Sequence, residues 1–198
     1  MISTIGKFVH NKLFKWKVEE NALAEVENAI VACYPHTTAF DGLYSLSHNL
    51  IDPSYKMVAR STGFYGSLYT FLNQYVVERP KEGEGISQTT LIAEKIKSDI
   101  KNGKRVVLFM SPEGSRSKQD KLKSGFYHIA VKAGIPIIFG NYDYRNRKLT
   151  YSKKVHHVTD EKGRVKISKK KILKEMQMFF SQFPNSGLHP EKMTPIRF

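Results

Sequence analysis

Short apolar runs alternate along this chain with longer segments in which apolar residues recur at helical spacing. Five of the runs predict β-strands, at residues 29–33, 55–60, 75–79, 105–110 and 135–141. Residues 148–155 alternate in polarity and carry lysines, a pattern typical of a strand at the edge of a sheet. A short strand at residues 16–19 is also predicted.

The segments between these runs are amphipathic and predict helices. They lie at residues 39–50, 63–72, 86–101 and 122–133, and a basic helix is predicted at residues 166–183. Gly134 is the expected C-cap of the fourth segment. Strands that alternate with helices predict a single α/β domain over residues 17–198, with a mixed, mostly parallel central sheet flanked by helices. From Pro184 onward we expect an irregular tail that lies over the body of the domain.

Residues 1–16 form the other predicted unit. Apolar residues, among them Phe8, Leu13 and Trp16, recur there at helical spacing with lysines between them, which predicts a basic amphipathic helix. Such a helix either packs on the core of its own domain or lies on a membrane surface, and the sequence leaves both interpretations open.

Composition narrows the partners and the compartment. Lys and Arg number 32 against 18 Asp and Glu, and the net charge of +14 favours nucleic acid, an anionic membrane surface, an acidic carrier protein or a phosphorylated substrate. Cys33, the single cysteine, fits a reducing compartment and is interpreted as a small buried hydrophobe rather than a nucleophile. No uncharged apolar run reaches the ~18 residues needed to cross a bilayer. Lysines break up the N-terminal segment, which therefore lacks the uninterrupted apolar run of a signal peptide. We therefore expect a protein that is soluble or peripheral rather than membrane-spanning, in the cytoplasm or on the cytoplasmic face of the membrane.

A histidine and an aspartate follow the predicted strand at residues 29–33. Pro35 favours an extended residue before it, so His36 is expected just ahead of the next helix, with Thr37 or Thr38 as the N-cap. The positive end of the helix dipole disfavours an imidazolium there, and Asp41 can accept from the second ring nitrogen and fix the tautomer. This pair is the base half of a catalytic triad. Because no Gly-x-Ser-x-Gly elbow is present, the nucleophile would be a substrate hydroxyl; a helix-capping histidine beside an unrelated aspartate is the alternative.

The strand at residues 105–110 runs into the turn Ser111-Pro112-Glu113-Gly114-Ser115-Arg116. Gly114 permits a positive φ and close approach to the backbone, and the Arg116 guanidinium suits bidentate contact with a phosphate. Arg79, which ends its own strand before Pro80, is a further candidate for the same site. An ordinary basic turn would explain the same residues. His156, His157 and Asp160 do not form a convincing set of metal ligands.

Four short blocks stand in one order along residues 16–145. His36 and Asp41 have the spacing of the first block, and the second ends in Arg79 after an apolar stretch. The third is the turn that ends in Arg116, and the fourth is the proline-containing strand at residues 134–138. In these blocks the chain resembles the glycerolipid acyltransferases, and among them the small lysophosphatidate (1-acyl-glycerol-3-phosphate) acyltransferase-like proteins.

The resemblance implies a glycerol-3-phosphate acyltransferase-like fold and an enzyme of phospholipid biosynthesis. Such an enzyme moves a fatty acyl group from acyl-CoA or acyl carrier protein to a lysophospholipid hydroxyl, and no metal or redox cofactor is needed. His36 would be the general base and Asp41 its orienting partner. Binding of the substrate phosphate is implied for five residues: Arg79, Glu113, Gly114, Ser115 and Arg116.

Two interpretations without catalysis remain open from the sequence. The charge of +14 also fits a basic protein that binds anionic membrane surfaces or nucleic acid. No RNA-recognition, zinc-finger or helix-turn-helix pattern is present, so no specific nucleic-acid partner is expected.

Overall fold

The computed structural model describes residues 15–19, 22–60, 69–72, 74–77 and 87–198. The predicted N-terminal helix lies outside these residues except for its last two positions, 15 and 16, which are not helical. Most of the predicted helix at residues 63–72 also lies outside them.

Seven strands form one sheet in the described part of the chain. They are β1 (Lys17–Glu19), β2 (Ala29–Tyr34), β3 (Tyr55–Arg60), β4 (Tyr75–Val77), β5 (Val107–Met110), β6 (Ile137–Asp143) and β7 (Lys148–Tyr151). The order across the sheet is β1-β7-β6-β2-β5-β3-β4, and neighbouring strands are parallel except for β6 and β7. The predicted mixed, mostly parallel α/β sheet is confirmed.

Four helices bounded within the described ranges match predicted segments. They are α1 (Phe40–Ile51), α2 (Gln88–Lys101), α3 (Gly125–Ala133) and α4 (Lys169–Phe180). Gly134 ends α3 with a φ of +71°, and its backbone N–H donates to Ala130 O, so the predicted C-cap is confirmed. No helix in the described ranges combines the length and the apolar character needed to cross a membrane.

The prediction of an edge strand at residues 148–155 is wrong. β7 lies between β6 and β1, and Lys17 to Glu19 of β1 pair with Lys148 to Thr150. Leu149 and Tyr151 are buried while their neighbours in β7 are partly exposed. The alternation in the sequence therefore reports that one face of the strand is buried, and it carries no information on how many strands flank it.

Helices cover both faces of the sheet. Alternate residues of β2 point to opposite faces, so Ile30 and Ala32 pack in one apolar cluster and Val31 and Cys33 in another. The first cluster includes buried residues of α2, α3 and α4, and the second includes Tyr44 of α1. All six residues of β2 are buried, which confirms the predicted strand covered on both faces.

The C-terminal tail lies over the body of the domain, as predicted. Apart from a short 3₁₀ turn at Pro190–Lys192 it is irregular. The Tyr34 hydroxyl, at the end of β2, donates to Thr194 O at 2.8 Å, and the His189 N–H donates to Thr37 Oγ1 at 3.3 Å. These bonds hold the tail against the edge of the sheet at which β2 ends.

Candidate active site

The loops that follow β2, β5 and β6 meet at one edge of the sheet. β2 lies between the other two strands and is parallel to both, so that Ala32 pairs with Met110 and Tyr34 pairs with Asn141. Parallel strands carry their carboxyl ends to the same edge, where open α/β sheets place their ligands. The two predicted site segments, residues 35–41 and 111–116, therefore lie side by side.

The start of α1 sets the position of Asp41. Thr38 Oγ1 accepts from the Phe40 N–H at 3.3 Å, and the Thr38 N–H donates to Asp41 Oδ2 at 3.1 Å. The Thr38 hydroxyl thus accepts from the first residue of the helix, and the Asp41 carboxylate accepts from the backbone just before it. Because α1 begins at Phe40 and Ala39 O accepts the first helical hydrogen bonds, Ala39 occupies the N-cap position. The prediction of Thr37 or Thr38 there is wrong by at least one residue. The bond from the Thr38 N–H still fixes the Asp41 carboxylate.

His36 and Asp41 form the expected pair. His36 Nδ1 lies 2.9 Å from Asp41 Oδ2, and the Asp41 side chain is only 3% exposed, against 29% for His36. An ionised carboxylate only accepts hydrogen bonds, so in a neutral ring Nδ1 carries the proton and Nε2 keeps its lone pair. The partly exposed imidazole can therefore take a proton from a group that reaches it from solvent. The structure brings these two residues together, and their catalytic role stays a prediction.

Asp41 has a further partner that the sequence analysis missed. The Tyr144 hydroxyl donates to Asp41 Oδ1, the oxygen that His36 does not use. Tyr144 comes directly after β6, 103 positions beyond Asp41 in the sequence. No local pattern marks such a residue, because the contact exists only through the order of the strands.

Glu113 faces the protein interior and binds backbone. It is fully buried, its Oε2 accepts the His36 N–H, and its Oε1 accepts the Thr194 N–H at 3.1 Å. Burial raises the pKa of Glu113, and the N–H donors of Thr194 and His36 act in the opposite direction. The carboxylate therefore ties the His36 segment, the turn after β5 and the C-terminal tail together. The Glu113 side chain lies beneath the turn and does not reach its surface. It is therefore placed to shape the predicted phosphate site rather than to contact a phosphate directly.

The turn itself presents glycine and arginine to solvent. Gly114 has a φ of +63°, and a Cβ at this position would lie 3.3 Å from Lys123 Nζ. Ser115 Oγ accepts the Ser117 N–H at 3.2 Å and so braces the turn. Arg116 is exposed and, in the ranges that the structure describes, has no hydrogen bond or ion pair. Its guanidinium is thus available to an anion beside the site.

The prediction for Arg79 lies outside the described residues. β4 ends at Val77, two positions earlier, and is parallel to β3. The carboxyl end of β4 accordingly lies at the same edge of the sheet as the other site segments.

The sequence matches known proteins over the part that holds this site. The model of the acyltransferase family matches residues 15–139. The chain is 29% identical over 135 residues to the 1-acyl-sn-glycerol-3-phosphate acyltransferase of Salmonella typhimurium, a match that covers 64% of this chain and 52% of the relative. It is 27% identical over 135 residues to the protein of the same name from Escherichia coli K12, with the same coverage of 64% and 52%.

The chain spans about half the length of the curated relatives it matches. The family match includes His36 and Asp41 as well as the turn that ends in Arg116, and it covers more than half of the chain. This chain therefore belongs to the acyltransferase family.

Proposed function

We propose that this protein transfers a fatty acyl group from acyl-CoA or acyl carrier protein to the free hydroxyl of a lysophospholipid of the 1-acyl-glycerol-3-phosphate type. The observation that carries the proposal is the bond between His36 Nδ1 and Asp41 Oδ2, which leaves Nε2 as a base beside a cationic turn. The relatives from Salmonella and Escherichia coli bear the name of this activity, which supports the choice of acceptor.

His36 Nε2 acts as the general base of the reaction. It removes the proton of the acceptor hydroxyl while the oxygen attacks the carbonyl carbon of the thioester. Collapse of the tetrahedral intermediate breaks the C–S bond, and the imidazolium returns the proton to the departing sulfur. The products are an ester and a free thiol. Asp41 orients the ring and stabilises its charged form, and a positioned base of this kind contributes ~10²–10⁴ to the rate.

The turn after β5 holds the acceptor phosphate. Arg116 supplies a guanidinium, Gly114 lets the backbone approach closely, and Ser115 braces the turn. Arg79 is proposed as a second cation for the same phosphate. A phosphate fixed at this point presents the neighbouring hydroxyl to His36, and such positioning lowers the entropic part of the barrier.

A comparison of acceptors tests the phosphate site. We expect acyl transfer to 1-acyl-glycerol-3-phosphate and much slower transfer to the corresponding monoacylglycerol, which lacks the phosphate. Arg116→Gln should raise the KM for the phosphorylated acceptor about tenfold, as expected for loss of a charge-assisted contact. The control Lys101→Gln removes the same charge at the exposed end of α2 and should leave that KM unchanged. No transfer by the wild type with either thioester, or equal effects of the two substitutions, would contradict the proposal.

The membrane surface is proposed as the place of the reaction. A lysophospholipid acceptor resides in a bilayer, and a net charge of +14 attracts the protein to anionic lipid, so we infer a peripheral association with the cytoplasmic face. The full chain should float with phosphatidylglycerol vesicles at low salt and less with phosphatidylcholine vesicles. Flotation without any acyl transfer would instead support the non-catalytic alternative.

A further inference from the structure

We propose that Tyr144 is a positioning residue for acyl transfer, holding the Asp41 carboxylate in the orientation that lets Asp41 direct His36. This inference rests on the proposed function. It assigns a role to a residue beyond the family match, which ends at residue 139.

Tyr144 is fixed at its backbone and at its ring. Its N–H donates to Ser186 O of the C-terminal tail at 2.9 Å. Its ring packs edge-on against Trp16, with 4.8 Å between ring centroids and 85° between the ring planes. The hydroxyl at the far end of the ring donates to Asp41 Oδ1. A side chain held in this way reaches Asp41 in a defined geometry.

The three bonds to Asp41 divide between its two oxygens. Oδ2 accepts from His36 Nδ1 at 2.9 Å and from the Thr38 N–H at 3.1 Å, whereas Oδ1 accepts from Tyr144. Without the hydroxyl, Oδ1 has no other donor in the described part of the chain. The carboxylate is only 3% exposed, so water replaces that donor poorly and the carboxylate is free to turn.

The hydroxyl is suited to act as a permanent donor. Burial and the nearby Asp41 carboxylate raise the pKa of Tyr144, so the phenol keeps its proton throughout the working pH range. The Tyr144 hydroxyl is therefore always the donor and Asp41 the acceptor of this hydrogen bond.

Tyr144→Phe removes the hydroxyl and keeps the ring and its contact with Trp16. Because the substrate phosphate site is untouched, we expect kcat to fall about ten- to fiftyfold while the KM for the acceptor stays within twofold. The matched control is Tyr75→Phe, which removes another tyrosine-to-aspartate bond, from Tyr75 to Asp99 Oδ2 at 2.8 Å. Tyr75 lies in β4, which is separated from β2 by β5 and β3 across the sheet, so Tyr75→Phe should leave kcat within twofold of the wild type.

A double-mutant cycle separates positioning from general destabilisation. In an Asp41→Asn background, Tyr144→Phe should lower the residual kcat by less than twofold, because the carboxylate that it orients is already gone. A kcat for Tyr144→Phe equal to that of Tyr75→Phe, or a full effect of Tyr144→Phe in the Asp41→Asn background, would overturn the proposal.

An isosteric pair of side chains keeps the test valid if Tyr144→Phe folds poorly. 4-Aminophenylalanine at position 144 retains a donor, and 4-methylphenylalanine places a methyl group of similar size at the same point. We expect kcat of the amino variant to exceed that of the methyl variant at least fivefold, and equal values would overturn the proposal.

An NMR measurement distinguishes failure of this inference from failure of the proposed function. In ¹⁵N-labelled protein without substrate, the chemical shift of the proton on His36 Nδ1 should change in Tyr144→Phe and stay the same in Tyr75→Phe. An unchanged resonance would refute the role of Tyr144, whereas a shifted resonance in a protein that transfers no acyl group would refute the proposed function alone.

Discussion

Replacing Gly114 by alanine tests whether the turn after β5 approaches a ligand closely. Gly114 has a φ of +63°, a left-handed conformation that costs an L-residue ~1–2 kcal/mol. The added Cβ would also lie 3.3 Å from Lys123 Nζ, so this flexible side chain has to move. We expect Gly114→Ala to lower the free energy of unfolding by about 1–2 kcal/mol and to displace a cation next to the phosphate site.

Gly163→Ala is the matched control for backbone strain. Gly163 has a φ of +75°, and no described atom lies within 4 Å of its added Cβ. It lies in the turn closed by the pairing of Thr159 with Val165, outside the segments that form the site. Both variants should lose similar stability in urea denaturation. Only Gly114→Ala should raise the KM for the lysophospholipid, by about five- to tenfold, because one charged contact is weakened.

The comparison of the two glycines has a clear contrary result. Equal KM values for Gly114→Ala and Gly163→Ala, together with equal losses of stability, would show that the turn after β5 has only a structural role. A loss of kcat with no change in KM would place the turn near His36 without a part in binding the phosphate.

Three further predictions concern Asp41, Glu113 and Cys33. Asp41→Asn should lower kcat about 10²–10⁴-fold, because an amide does not hold the Nδ1–H tautomer of His36; a kcat near that of the wild type in steady-state assays would contradict this. Burial raises the pKa of Glu113 above its ordinary value of 4.5, so its contribution to stability is full below that value and falls as pH rises through the higher folded pKa. The difference in free energy of unfolding between the wild type and Glu113→Gln, measured in urea, should therefore shrink as the pH rises above 4.5. A difference that grows with pH would contradict this prediction. Burial raises the pKa of Cys33 to about 12, so iodoacetamide at pH 8 should label it only after unfolding, and rapid labelling of the native protein would contradict this.

The sequence predicts most of the elements that build the site. Continuous apolar runs locate β2, β5 and the first half of β6, because a strand covered on both faces is mostly apolar on both. The pairing of His36 with Asp41 follows from the proline before His36 and from the start of a helix within the next few residues. These signals are local, and local signals can be read from one sequence.

The remaining features depend on contacts between distant residues. The position of β7 inside the sheet follows from pairing with β1, about 130 residues earlier, and the alternation of β7 does not report it. The bonds from Tyr144 to Asp41 and from Thr194 to Glu113 cross 103 and 81 positions of sequence. No local pattern marks Glu113 as buried, because its inward orientation depends on N–H donors from two other segments.

The most direct measurement of the role of His36 is release of thiol from acyl-CoA in the presence of lysophospholipid, for His36→Ala and for His157→Ala. His157 is exposed and remote in sequence from the site, so its variant controls for loss of an imidazole. We expect His36→Ala to keep its circular dichroism spectrum and to lose acceptor-dependent thiol release by at least ~10². Full activity of a folded His36→Ala protein would contradict the assignment of His36 as the base.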